Sequence, residues 1–90
     1  MDYEKRTMEK LKMLRQGNIN VFLNIRNGSY AQQLTKTCDI TYSHLINVLQ
    51  DMKRANLINL ETIGRKKIIT LTNKGKSVQE ELFNIMEVLK

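Results

Sequence analysis

Thr41 to Ala55, TYSHLINVLQDMKRA, is the stretch whose reading decides the fold. Leu45, Leu49 and Met52 recur at i, i+4 and i+7, so a helix here has one face that must be buried. Thr41 is placed to cap it, because a hydroxyl there accepts one of the free amide hydrogens of the first turn. Tyr42, Ser43, Asn47, Gln50 and Arg54 occupy the opposite face. These are mainly hydrogen-bonding side chains, whereas a face meant only for solvent more often alternates Glu and Lys. The pattern suits a helix that makes polar contacts with something outside the domain.

On its N-terminal side, Ala31 to Thr37 reads as a short helix centred on Leu34, preceded by an extended Ser29-Tyr30. Cys38-Asp39-Ile40 then turns the chain in three residues, and Asp tolerates the left-handed conformation such a turn needs. Two helices joined this closely form a helix-turn-helix unit. On the C-terminal side, Leu57–Thr62 and Lys67–Leu71 are β-prone runs around Ile63-Gly64-Arg65-Lys66, which predicts a hairpin with a basic tip. Thr72 caps a last helix running to Lys90, with Val78, Leu82, Ile85, Met86 and Leu89 on one stripe.

Asn18 to Arg26, NINVFLNIR, is ambiguous. Ile19, Val21, Leu23 and Ile25 alternate as in a strand, while Ile19, Phe22, Leu23 and Arg26 fit helical spacing with Asn18 as cap. Local evidence slightly favours the strand; the helix is chosen because only a helix gives the next two helices something to pack on. Asn27-Gly28 would then be a hairpin turn or a helix C-cap. Residues 2–15 read as a helix with a thin stripe of Met8, Leu11 and Leu14, ended by Gly17.

Ninety residues, 41% of them apolar, suit one small domain over 1–90, divided into 2–15, a core over 18–72 and a helix over 73–90. The fold class is α+β, mainly α. Between Lys53 and Lys76 lie seven basic residues and one acid, so this third carries the whole net charge of +6. A concentrated basic surface favours a polyanion, because each phosphate neutralised releases condensed counterions. A single cysteine rules out an internal disulfide and fits a reducing, cytoplasmic setting. The opening MDYEKRTMEK lacks the apolar core of a signal sequence, and no apolar run is long enough to span a membrane.

The order of helix, helix-turn-helix, basic hairpin and helix is similar to the winged helix-turn-helix proteins. The nearest likeness is to the MarR-like transcription regulators and the small archaeal DNA-binding proteins related to them. Ala31-Gln-Gln-Leu-Thr-Lys-Thr-Cys-Asp-Ile-Thr41 resembles their ELAERLGVS segment. Arg54-Ala-Asn-Leu-Ile58 stands in the place of KKGLV, and Leu71-Thr-Asn-Lys-Gly75 resembles the LTEKG junction before the last helix. Asp39 and Asn56 replace the usual glycines, which sterics allow since both types tolerate positive φ. The wing is short, and nothing resembles a separate ligand-binding domain.

The resemblance implies double-stranded DNA as partner, with the helix from Thr41 in the major groove. Tyr42, Ser43, His44 and Asn47 would face base edges or phosphates, and Asn47 can pair bidentately with adenine. Lys53 and Arg54 would reach flanking phosphates, and Arg65, Lys66 and Lys67 would meet backbone or minor groove from the wing. A homodimer built through Leu11, Leu82, Phe83, Met86 and Leu89 would present two such helices about one helical turn, roughly 34 Å, apart. Two other readings remain: a winged-helix docking module for proteins, and sequence-independent, chromatin-like DNA binding.

Catalysis is not expected. There is no Gly-rich phosphate loop, no nucleophile-base constellation, and no small-molecule substrate or cofactor is implied. One His and one Cys cannot make a zinc site, so no metal is expected; Cys38 reads as a small core residue and His44 as a hydrogen-bonding surface residue.

Overall fold

The computed structural model describes residues 16–26 and 28–90. The helix expected over 2–15, with Leu11 on its stripe, lies outside the described residues. The elements in order are α1 (Gln16–Leu23), β1 (Ser29–Tyr30), α2 (Ala31–Cys38), α3 (Tyr42–Arg54), β2 (Ile58–Ile63), β3 (Lys66–Leu71) and α4 (Asn73–Val88). This is the winged helix-turn-helix architecture expected from the sequence.

The ambiguous stretch is a helix, as chosen, with different bounds. Gly17 and Asn18 lie inside α1, so neither ends nor caps a helix. Gly17 does not adopt the positive φ by which a glycine terminates one. Asn24 and Ile25 close the last turn with bonds from their N–H groups to the carbonyls of Val21 and Phe22. Val21, Phe22 and Ile25 are buried, whereas Leu23 is half-buried and Arg26 exposed. Gly28 makes neither a hairpin nor a helix cap. At φ +82° it leads into β1, and its N–H donates to the Ile69 carbonyl at 3.0 Å.

Thr35 ends α2 by accepting from the N–H groups of both Asp39, at φ +54°, and Ile40. Leu45, Val48, Leu49 and Met52 of α3 then bury one face against Val21, Phe22, Ile25, Ala31, Leu34, Leu57, Ile58 and Ile69. Burying side chains of this size contributes about 1.5–3 kcal/mol each, before the entropy cost of ordering them.

The wing is longer than expected. Ile63 and Lys66 are paired, leaving only Gly64 and Arg65 as the loop, with Gly64 at φ +63°. A positive φ lets a two-residue loop match the twist of its strands. Ser29-Tyr30 adds a third strand on the far edge of β3, giving the antiparallel order β1-β3-β2. Strand alternation divides the sheet. Ile58, Leu60, Ile69 and Leu71 face the core, while Tyr30, Glu61, Ile63, Lys66 and Ile68 share the outer side.

Two contacts fix α4. Gln79 donates from Nε2 to the carbonyls of Phe22 (2.9 Å) and Ile25 (3.1 Å), satisfying the end of α1. Gly75 is buried against the Leu57 carbonyl so closely that a Cβ there would overlap the oxygen. Gly75→Ala should therefore destabilise the fold by about 2–3 kcal/mol, read as a lower urea midpoint with an unchanged m-value.

Candidate nucleic-acid interface

The first turn of α3 is held by Thr41, whose Oγ1 accepts from the His44 N–H at 3.2 Å. Its last turn closes through Asn56 at φ +63°. The Asn56 N–H donates to the Lys53 carbonyl and the Leu57 N–H to the Met52 carbonyl, the paired bonds of a left-handed helix stop. With both ends fixed and one face buried, the opposite face is determined. Tyr42, Ser43, His44 and Asn47 are all exposed, Tyr42 at 43%. Gln50 is half-buried.

The basic side chains expected at the interface differ among themselves. Arg54 makes an exposed ion pair with Asp51 at 2.8 Å, and Lys53 is exposed. On the wing, Arg65 occupies the loop and is exposed. Lys66 lies over the Tyr30 ring, with Nζ 4.6 Å from its centroid. Lys67 pairs with Thr62 on the core-facing side and is half-buried. The three cations that are neighbours in sequence therefore hold three different environments.

Two features of the wing are not visible in the sequence. Local pattern marks Tyr30 only as part of a short extended piece, and nothing nearby announces that it pairs with Ile68 and lies beneath Lys66. Ile63, expected in the turn, becomes with a two-residue loop a strand residue of fixed face, and it is 55% exposed.

The expected dimer residues on α4 separate into two groups. Leu82 packs against the core together with Val78. Phe83, Ile85, Met86, Val88 and Leu89 are exposed, at 40%, 52%, 51%, 83% and 78%. Met86 borders a cleft of about 470 Å³ that Gly17, Ile19, Asn20 and Leu23 also line. A second, open depression of about 600 Å³ lies between the end of α1 and α2, lined by Arg26 and Lys36 among others. Its polar groups are mostly engaged locally. Arg26 donates to the Leu23 and Ile25 carbonyls, and Thr37 to the Gln33 carbonyl.

Among the described residues, no cluster of three or more His, Cys, Asp or Glu is placed to hold a metal ion. No described helix is long and apolar enough to cross a membrane.

No family model matches the chain. An uncharacterised protein of Archaeoglobus fulgidus is 25% identical over 64 residues, covering 71% of this chain and 67% of its own. Among solved structures, a crystal structure of an Archaeoglobus fulgidus protein superposes with a TM-score of 0.81 at 22% identity, covering 90% of this chain and 97% of its own. HlyU from Vibrio cholerae gives 0.75 at 18% identity, covering 94% and 97%. MepR from S. aureus, in a complex with DNA, gives 0.73 at 20% identity, covering 98% and 78%. These likenesses agree with the winged-helix fold described above.

Cys38, the last residue of α2, is half-buried, and burial raises its thiol pKa above the ordinary value. The fold thus favours the neutral thiol. That contribution to stability is present below the unfolded pKa and is lost as pH rises through the folded one. Cys38 should react with a thiol-specific disulfide reagent more slowly in the native than in the urea-unfolded chain at about pH 8, the gap narrowing as pH rises.

Proposed function

We propose that the protein is a double-stranded DNA-binding transcriptional regulator that acts as a homodimer. In this reading α3 lies in the major groove and the β2–β3 wing contacts backbone or minor groove. The observation that carries it is the division of α3, in which one face is sealed into the core while Tyr42, Ser43, His44 and Asn47 stand exposed on the first two turns. Those turns are where a recognition helix meets base edges. The DNA-bound state of MepR, a protein of similar fold, supports the same assignment. Nothing in the site suggests catalysis, and none is proposed.

Tyr42, Ser43, His44 and Asn47 would read bases or phosphates, Lys53 and Arg54 would reach flanking phosphates, and Arg65, Lys66 and Lys67 would serve the wing. On a site selected from random duplexes, Asn47→Ala should cost about 1–3 kcal/mol, and measurably less on unselected DNA. Equal losses on both would sink base readout by Asn47. Replacing Arg65, Lys66 and Lys67 together by Ala should flatten the plot of log affinity against log salt by about 1 for each phosphate no longer neutralised. An unchanged slope and affinity would remove the wing from the interface.

The dimer would form through Phe83, Met86 and Leu89, with Leu82 anchoring the helix beneath them and the Ile19–Leu23 cleft alongside. An exposed apolar row on one helix end is the surface that a second copy would cover. Met86→Lys should shift sedimentation from dimer to monomer while leaving the helical signal in circular dichroism unchanged, because the side chain is half-exposed within one chain.

A further inference from the structure

Of Tyr42, Ser43, Asn47, Gln50 and Arg54, the polar face of α3, only Gln50 is left without a role by the assignment above. It lies three residues beyond Asn47. Ser43, Asn47, Gln50 and Arg54 fall at i, i+4, i+7 and i+11, a line along the side of the helix opposite Leu45, Leu49 and Met52. Gln50 is half-buried, yet its amide has no hydrogen-bond partner among the described residues. No buried side-chain nitrogen or oxygen among those residues lacks a partner. The amide of Gln50 therefore stands in solvent at the end of a partly covered stem. Asn47 is exposed, and its amide is equally unpaired among the described residues. Elsewhere the fold puts such amides to use: Asn24 and Gln79 donate to backbone carbonyls, and Gln33 accepts from the Tyr30 N–H.

The charged groups of the same face are committed differently. Arginine is the usual reader of guanine, and an aspartate can accept from the cytosine amino group. Here Arg54 and Asp51 hold each other at 2.8 Å. Turning Arg54 onto a guanine would leave the Asp51 carboxylate uncompensated against a polyanion. Its five N–H donors nevertheless let it touch a phosphate without releasing Asp51. Lys53 projects about 100° round the helix from Arg54, off the line. What the line offers to bases is a hydroxyl at Ser43, which suits any base, and two amides. Asn and Gln are the side chains that pair bidentately with the N7 and amino group of adenine.

From these free amides we infer that α3 selects two consecutive adenines on one strand, Asn47 pairing with the first and Gln50 with the second. The inference rests on the DNA-binding reading above and adds to it a specificity-determining residue and the base step it selects. The spacing suits the task. Three residues advance a helix by about 4.5 Å, against roughly 3.4 Å between stacked bases. A straight helix also leaves the curving groove beyond its first turns, so the later residue needs the longer reach. Gln50 has one methylene more than Asn47.

The experiment uses the full chain. Duplexes selected from random DNA should share an AA/TT step. Replacing either adenine of that step by 7-deazaadenine removes the N7 acceptor and keeps Watson–Crick pairing, and for wild type should raise Kd about 3- to 10-fold at each position. Asn47→Ala should lose this effect at one adenine only, and Gln50→Ala at the other only. Gln50→Glu keeps the shape and exchanges the amide for a carboxylate. It should move the preference at the second position from adenine to cytosine, a change that damage to the fold would not produce. Selected duplexes without the step would overturn the inference while leaving the regulator reading standing, as would Gln50 variants that stay sensitive to both deaza substitutions. Absence of duplex binding by the wild-type chain would overturn both.

Discussion

The fold depends on a clasp between the end of α3 and the start of α4. The Thr72 N–H donates to the Leu57 carbonyl at 3.0 Å, and its hydroxyl donates to the Asn56 carbonyl at 2.7 Å while accepting from the Gly75 N–H. Lys74 closes the arrangement by donating to the Ala55 carbonyl at 3.0 Å. Carbonyls at a helix C-terminus have no partner within the helix and must find one elsewhere. Here those of Ala55, Asn56 and Leu57, just beyond the end of α3, are satisfied by two residues at the start of α4, its cap Thr72 and Lys74. Gly75 is required because the helix axis comes so near Leu57 that no side chain fits between. The Leu71-Thr-Asn-Lys-Gly75 run is thus explained by contact rather than by local propensity. Its hydroxyl, ammonium and missing Cβ each meet the same three-residue turn.

This clasp joins elements that lie far apart along the chain. The hairpin from Ile58 to Leu71 leaves from one side of it and returns to the other, so the wing is anchored at its base by the bonds that stop α3. Gln79, one turn further along α4, holds α1 by its terminal carbonyls. The exposed face of α3, the wing and the outer half of α4 are consequently carried on one frame. Any partner that orients α4 also orients α3, without needing a moving part.

What was legible in the sequence follows from how many independent constraints coincide at each position. For α3, a cap, an apolar stripe and a following left-handed residue all agreed, and the element spans Tyr42–Arg54. Asp39 and Asn56 could be placed at positive φ because few side chains tolerate it and both stood at helix ends. In NINVFLNIR the signals conflicted, because Ile19, Val21, Leu23 and Ile25 fit a period of two while Ile19, Phe22, Leu23 and Arg26 fit helical spacing. Packing broke the tie by burying Val21, Phe22 and Ile25. The third strand was not legible, since a two-residue strand has no periodicity of its own and exists only through its pairing with Ile68 and Ile69. The loop length was missed for a related reason: β-propensity ends gradually, while backbone pairing ends at a definite residue.

Charge is where sequence and structure diverge most. Seven basic residues between Lys53 and Lys76 read as one patch. In the fold, Arg54 pairs with Asp51, Lys66 rests on Tyr30, Lys74 holds the Ala55 carbonyl and Lys67 is half-buried. Lys53, Arg65 and Lys76 remain exposed without a partner among the described residues. All seven contribute to the field that steers a polyanion from a distance. The number able to form new contacts without first breaking old ones is smaller. A cation already held by a ring or a carbonyl has lost much of its rotational freedom on folding, so it forfeits less on binding than a free lysine does. Attraction and contact therefore need not scale together in this domain, and a count of basic residues measures only the first.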